Sequence, residues 1–320
     1  MSAHQNGTTA AAKRARMRQL IESKEITLMP GVYDGFSLRV VEQAGYESAM
    51  ITGSGVSETR LGLPDVGVMG PDLNVQATEE LSSRASIPLL ADGDTGYGNP
   101  VNVHYVVRAF ERAGAAGVMF EDQVWPKRCG HLAGKQVIDA DEMVAKLRAA
   151  VDARESPDFI IKARTDAAGV IGIDEAIRRG NLYAEAGADL IFADALLSIA
   201  DIERFVSAVP APVAVNMGFG IRARATTPLV SPIVLEEMGV AVAEYPRMLT
   251  SAAVRGMQQA LAAFAEARAQ REPLERPDLL ISFDEICDLM GLPEIQALEL
   301  QYLTPSELEA KYGSAAPTVA

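Results

Sequence analysis

Eight short apolar runs, spaced by stretches of helical periodicity, constrain this chain more than any other feature. The runs are "ITLMPG", "SAMITG", "IPLLADGD", "GVMFED", "DFIIKART", "DLIFADA", "PVAVNM" and "VAVAEY". Between most of them lie amphipathic segments. In "DGFSLRVVEQAG" the apolar residues Phe36, Leu38, Val40, Val41 and Ala44 follow a helical period, and "NVHYVVRAFERAG" and "GIDEAIRRGNLYAEAG" behave alike. Three of these segments stop on the same signal, "QAG" at 43–45, "RAG" at 112–114 and "EAG" at 185–187, with "EEMG" at 236–239 a near relative. Glycine there supplies the left-handed residue that ends a helix, and an apolar run follows closely. Eight strands alternating with helices favour a (β/α)8 TIM barrel over an open doubly wound sheet. The stretch 53–73, rich in Gly and Pro, reads as an unusually long strand-to-helix loop.

The barrel is expected over 16–269. Residues 1–15, "MSAHQNGTTAAAKRA", read as a disordered tail rather than a secretory signal, since no apolar stretch follows the basic residues. A long last helix, "AAVRGMQQALAAFAEARAQ", leads through the hinge "REPLERPD" to a helical extension at 270–312 and a disordered tip at 313–320. No apolar run approaches the roughly 18 residues of a membrane span. Cys129 and Cys287 are far apart and show no CxxC spacing, which fits a reducing, cytoplasmic setting and no zinc knuckle. A net charge of −14 argues against nucleic acid as partner. It leaves an anionic small molecule open, because local arginines and a metal can outweigh the global field.

In a barrel of this kind, chemistry sits at the C-terminal ends of the strands. Those ends carry Asp92 and Asp94 after the third run, Glu121 and Asp122 after the fourth, Lys162 and Arg164 in the fifth, Asp194 after the sixth and Asn216 after the seventh. Crowded carboxylates with few histidines point to a hard cation such as Mg²⁺ rather than zinc. The fourth run opens into "EDQVWPKRCGHLAGK" (121–135), where Lys127, Arg128 and His131 flank Cys129. Cationic neighbours favour a thiolate and tune its proton affinity, so Cys129 is a candidate catalyst. Cys287 reads as core, His104 as structural and His4 as solvated.

The motifs "LPDVG", "ADGDTGYG", "EDQ…KRCGH" and "ARTDA", in this order, resemble the isocitrate lyase / phosphoenolpyruvate mutase superfamily, nearest its 2-methylisocitrate and 2,3-dimethylmalate lyase branch. The likeness runs from about residue 17 to 312, and "PGVYDGFS" and "LELQY" add to it. It implies a Mg²⁺-dependent enzyme (Mn²⁺ as a substitute), usually a homotetramer whose C-terminal helix swaps onto a neighbour. By the same resemblance Asp92 is the direct metal ligand, with Asp65, Asp94 and Glu121 reached through waters. Thr52, Gly53 and Ser54 form the turn that binds a carboxylate. Arg164, Asp194, Asn216, Gly130 and His131 contact substrate, and Cys129 is the general acid on a closing loop, attended by Lys127 and His131.

The implied reaction is cleavage of a 2-hydroxy di- or tricarboxylate to a 2-oxoacid such as pyruvate and a second carboxylate. Three features depart from the pattern. Met50 stands where many relatives carry a tyrosine, which leaves Tyr33 or Tyr97 as phenolic candidates for the base. Asp194 replaces a glutamate. The link after Asn216, "NMGFGIRARATTP", is longer and adds Arg222 and Arg224. An oxaloacetate-type hydrolase or a carboxyphosphonate or phosphoenolpyruvate mutase is the alternative on the same fold, and a non-catalytic binding barrel is a third.

Overall fold

A computed structural model describes residues 8–130, 132–219, 227–268, 270–271 and 275–313. Eight parallel strands close into a barrel in chain order. They are β1 (Thr27–Val32), β2 (Ala49–Ile51), β3 (Leu89–Asp92), β4 (Gly117–Glu121), β5 (Ile160–Thr165), β6 (Leu190–Ala193), β7 (Val213–Asn216) and β8 (Val242–Tyr245). Each apolar run supplies one strand. Closure is made by β8 against β1, in register from Thr27 opposite Val242 to Pro30 opposite Tyr245. The chain is a (β/α)8 TIM barrel.

The strands read as continuous apolar runs because both of their faces are covered. On β5 all six residues are buried. Ile161 and Ala163 pack outward with Val118, Phe120, Phe110 and Leu147, the last two on surrounding helices. Ile160 points the other way, into an interior layer with Met29, Leu90, Leu190 and Val242. Side chains alternate between these two environments with the period of two that a strand imposes.

Met17 and Ile21 of the first helix, Ala10–Ile21, complete that interior layer. This helix begins within the stretch expected to be a disordered tail. Thr9 caps it, its side chain accepting from the Ala12 amide at 3.2 Å. The Lys13 ammonium, only 6% exposed, donates to the carbonyls of Ser82 (2.7 Å) and Ala85 (3.0 Å). Those carbonyls end the helix Pro71–Ser82, where a cation is favoured. Arg14 pairs with Glu111 at 3.4 Å. A polar, alanine-rich stretch is therefore ordered by charges that reach distant backbone, which local composition does not reveal.

A second expectation also changes. Much of 53–73 is the helix Gly53–Leu61, capped by Thr52 and stopped by Gly62 at φ 64°. The barrel unit ends at Ala252, inside the helix Met248–Ala267, rather than at 269. From Ala253 a second unit carries the helices Phe283–Leu289, Leu292–Tyr302 and Pro305–Tyr312. The first and third of these open on reciprocal capping boxes, Ser282 with Glu285 and Thr304 with Glu307. None of the three buries a residue, and Phe283 and Tyr302 are 78% and 73% exposed. Cys287, expected in a core, is half-buried on the first of them. Residues 1–7, with His4, and 314–320 lie outside the described residues. Among the described residues no helix is long and apolar enough to cross a membrane.

Candidate active site

Toward the C-terminal mouth of the barrel the inward side chains turn polar. On β5 the order is Ile160, Lys162, Arg164; on β3, Leu90 then Asp92; on β4, Met119 then Glu121; on β8, Val242 then Glu244. The pocket formed there gathers Thr52, Ser54, Asp65, Asp92, Cys129, Gly130, Arg164, Asp194 and Asn216 from among the expected residues. Met50, Met119, Phe192, Glu244, Pro246 and Arg247 complete its lining. The water-accessible space inside it is about 40 Å³.

The four acids of the expected metal site surround one cation. The Lys127 ammonium, 3% exposed, lies 2.7 Å from Asp65 and 2.7 Å from Asp94. Burial opposes its charge, but Asp94, Glu121, Asp65 and Asp92 together hold its pKa well above the usual lysine range. Burial pushes the Asp94 carboxyl up to about 6, against the attraction of Lys127. Glu121 rises well above the carboxylate range, again through burial first. One of its oxygens, Oε1, is buried without a hydrogen-bond partner. Asp92 approaches the Thr52–Ser54 turn so closely that a Cβ on Gly53 would lie 2.7 Å from its Oδ2. Among the described residues, no three acidic, histidine or cysteine side chains close on one point as metal ligands. Lys127 stands where the carboxylates converge.

Arg164 organises the opposite wall. It donates to Asp166 through Nε and Nη2 (both 2.9 Å), and lies 3.1 Å from Glu121 and 3.5 Å from Asp194. Lys135 bridges Asp166 (2.7 Å) and Asp194 (2.9 Å). The loop bearing Cys129 is folded over this wall. Gln123 closes it on itself, donating to the Arg128 carbonyl and accepting from the Arg128 amide, both at 2.9 Å. The Cys129 amide donates to the Asp65 carbonyl at 3.0 Å, tying this loop to the one after Gly62. Gly67, at φ 75°, passes so near that a Cβ there would meet the Lys127 amide nitrogen at 2.9 Å. Gly130 sits against Asp194 and Arg164, and a Cβ would lie 2.7 Å from Nη2 of Arg164.

A family model described as phosphoenolpyruvate phosphomutase matches residues 17–265, all eight strands and the Cys129 loop included. The chain belongs to the phosphoenolpyruvate phosphomutase family. It is 38% identical to the 2,3-dimethylmalate lyase of Eubacterium barkeri over 290 residues, 91% of this chain and 98% of that one. Identity to the 2-methylisocitrate lyase of Aeropyrum pernix is 35% over 292 residues, 91% of each. Among solved structures, oxaloacetate acetylhydrolase in complex with 3,3-difluorooxalacetate superimposes with a TM-score of 0.83 at 30% identity, over 92% of this chain and 97% of that one.

Not every expected residue of this phosphoenolpyruvate phosphomutase family member reaches the pocket. Tyr33 is buried among Val32, Leu38 and Val56 and does not line the cavity; burial raises its phenol. Tyr97 serves Asp94, donating to it at 2.9 Å and accepting from Asn74 at 2.8 Å. Asp122 accepts from Thr165 and Tyr183 (2.7 Å each) and from Arg179 (2.9 Å), which ties β4 to the helix Ile173–Glu185. His131, Arg222 and Arg224 lie outside the described residues. His104 is half-buried, edge-on to Tyr105. Sequence reasoning missed Lys135, Asp166, Glu244 and Arg247. Glu244 had a visible signal, a glutamate inside the apolar run "VAVAEY".

Proposed function

We propose that the protein is a Mg²⁺-dependent carbon–carbon lyase that splits a 2-hydroxy di- or tricarboxylate, of the 2-methylisocitrate or 2,3-dimethylmalate kind, into a 2-oxoacid and a second carboxylate. The observation that carries this reading is Cys129 meeting Asp92, Arg164, Asn216 and the Thr52–Ser54 turn in one pocket. Two lyases of matching length and similar sequence support it. The donor set fits Mg²⁺: it is all oxygen, and Glu121 keeps a buried carboxylate oxygen unpartnered. An ion held directly by Asp92, and through waters by Asp65, Asp94 and Glu121, needs no tight cluster, since Mg²⁺ retains several waters. When bound, it supplies Lewis-acid polarisation of the substrate's carboxylate and hydroxyl.

The chain's own residues do the rest. The amides at the start of the helix Gly53–Leu61 receive a carboxylate, as helix N-termini do, and Arg164 neutralises it from the other side. As the hydroxyl loses its proton, the O–H pair forms the second C2–O bond of the ketone and the C2–C3 pair leaves with C3. The Cys129 thiol then protonates C3 under the closed loop, where water cannot compete. Lys127 keeps the acids in register while Gly130 lets the loop seat against Asp194 and Arg164. We place the enzyme in the cytoplasm as a homotetramer, with the exposed apolar helices after Phe283 covered by a neighbouring subunit.

An oxaloacetate-type hydrolase is the second reading, favoured by the likeness to oxaloacetate acetylhydrolase. Proton NMR of the protein with Mg²⁺ and 2-methylisocitrate, 2,3-dimethylmalate, isocitrate or oxaloacetate separates the two. Pyruvate from either of the first two is the expected product, with kcat down by about 10²–10⁴ in Cys129→Ser. Oxalate and acetate from oxaloacetate would assign the hydrolase instead.

A further inference from the structure

One layer beneath the site, the barrel interior carries a charge pair that the mechanism above does not use. Lys162 on β5 is fully buried and Glu244 on β8 is 1% exposed. The Lys162 ammonium donates to Oε2 of Glu244 and lies 4.6 Å from the centre of the Phe192 ring. Isolated from function, a buried ion pair is commonly no better for stability than apolar residues of the same volume. The layer below it is apolar, with Ile160, Leu190 and Val242.

The other oxygen of Glu244 points to a use. Oε1 is buried without a hydrogen-bond partner, and Glu244 lines the active-site pocket beside Asn216, its register neighbour on β7. The other carboxylates there are committed: Asp65 to Lys127, Asp194 to Lys135 and Arg164, and Asp92 to the Asp94 amide and the proposed ion. Met50, across the pocket, has no basic atom. We propose that Glu244 is a catalytic residue that accepts the proton of the substrate's C2 hydroxyl, with Lys162 as its positioning residue. This rests on the lyase reading and names the base that reading lacks.

The chemistry balances. The hydroxyl proton passes to Oε1, the freed O–H pair forms the second C2–O bond of the carbonyl, the C2–C3 bond breaks, and its pair on C3 takes the thiol proton of Cys129. Glu244 ends protonated and Cys129 ends as thiolate, and one proton exchange through solvent after product release resets both. Lys162 holds Oε2, so Oε1 faces one direction and offers an acceptor to the one donor a 2-hydroxy carboxylate brings.

The test compares the full-length wild type with Glu244→Gln and with Lys162→Met/Glu244→Met, each with Mg²⁺. Glu244→Gln is expected to lower kcat on the active 2-hydroxy acid by about 10²–10⁴-fold while KM moves by less than about threefold. The double variant, apolar and of similar volume, is expected to melt at or above the wild-type temperature and to be as inactive, so it carries the test if the single variant fails to fold. Activity within about threefold of wild type in either variant overturns the proposal. A wild type that turns over none of the panel would defeat the lyase reading, and binding then decides the role of Glu244. In Cys129→Ser protein, calorimetry should show 2,3-dimethylmalate binding at least about tenfold tighter than 2,3-dimethylsuccinate, a preference that Glu244→Ala erases. A preference that survives Glu244→Ala, or is absent from the start, sinks the proposal.

Discussion

Lys127 carries a positive charge into a nest of four acids, and two measurable properties follow from that position. Replacing it with methionine strips the cation from Asp65 and Asp94, and breaking a buried pair in this way costs about 3–5 kcal/mol. Urea unfolding of Lys127→Met in a chelator should show that loss, and Mg²⁺ should return part of it by neutralising the same acids. A variant whose midpoint ignores Mg²⁺ would show that these carboxylates do not hold the ion. Asp94 sets the second property. Its carboxyl lies near 6 in the fold against an ordinary 3.8, chiefly through burial. In the window between those values the native state binds more protons than the unfolded one, so stability falls as pH rises through it. In chelator, the wild-type midpoint measured relative to Asp94→Asn should therefore increase from pH 7 to pH 5. A flat difference would mean that the carboxyl is not perturbed. Sequence alone singled out Cys129, Arg164 and Asp92, because a charged or reactive group abutting an apolar run is visible locally. The apolar run by itself does not distinguish Asp122, which faces a helix, from Glu121, which faces Arg164, because one residue of strand alternation decides between them.

The loop from Gln123 to Lys135 brings Cys129 and Gly130 to the pocket. Among its described residues there is no helix or extended strand; it is held by a bridge between Gln123 and Val137, the Gln123–Arg128 clamp, the Cys129 amide on the Asp65 carbonyl and the ion pairs of Lys127 and Lys135. Its seat on the pocket requires Gly130, whose missing Cβ leaves room for Asp194 and Arg164. Gly130→Ala should hold the loop off and lower kcat/KM by about tenfold or more, as small misplacements of reacting groups do, with the melting temperature little changed. The same variant should be cut faster than wild type by protease within 123–135 when a 2-oxoacid product is present. Equal cleavage rates would mean that seating does not depend on this contact. The helix Ala10–Ile21 illustrates the opposite case, an element that sequence periodicity did not announce. Its order comes from Lys13 on the Ser82 and Ala85 carbonyls, contacts 69 and 72 residues away.

At the scale of the molecule, the barrel and the helices after Ala253 are separate compact units. Phe283, Ile295, Leu298 and Tyr302 in the second unit are all exposed, an apolar display unusual for a monomer surface. Deleting residues 270–320 should reduce the proposed tetramer to smaller species by light scattering, with the barrel still folded. An unchanged mass would show that assembly does not use these helices. The alternation of eight apolar runs with glycine-stopped helices determined the fold from sequence, because strand and helix periods and helix stops are encoded within a dozen residues. The order of acids, arginine and cysteine at strand ends marked the site for the same reason. Only the closed barrel decided which charges meet. Lys162 and Glu244 are 82 residues apart and become partners because β5 and β8 enclose the same interior, and Lys127 comes to lie among four acids drawn from two loops and two strands. Asp92 and Glu121 end two different strands while Asp65 and Asp94 lie in two loops, and such pairings depend on ring closure, a long-range constraint that no local pattern carries.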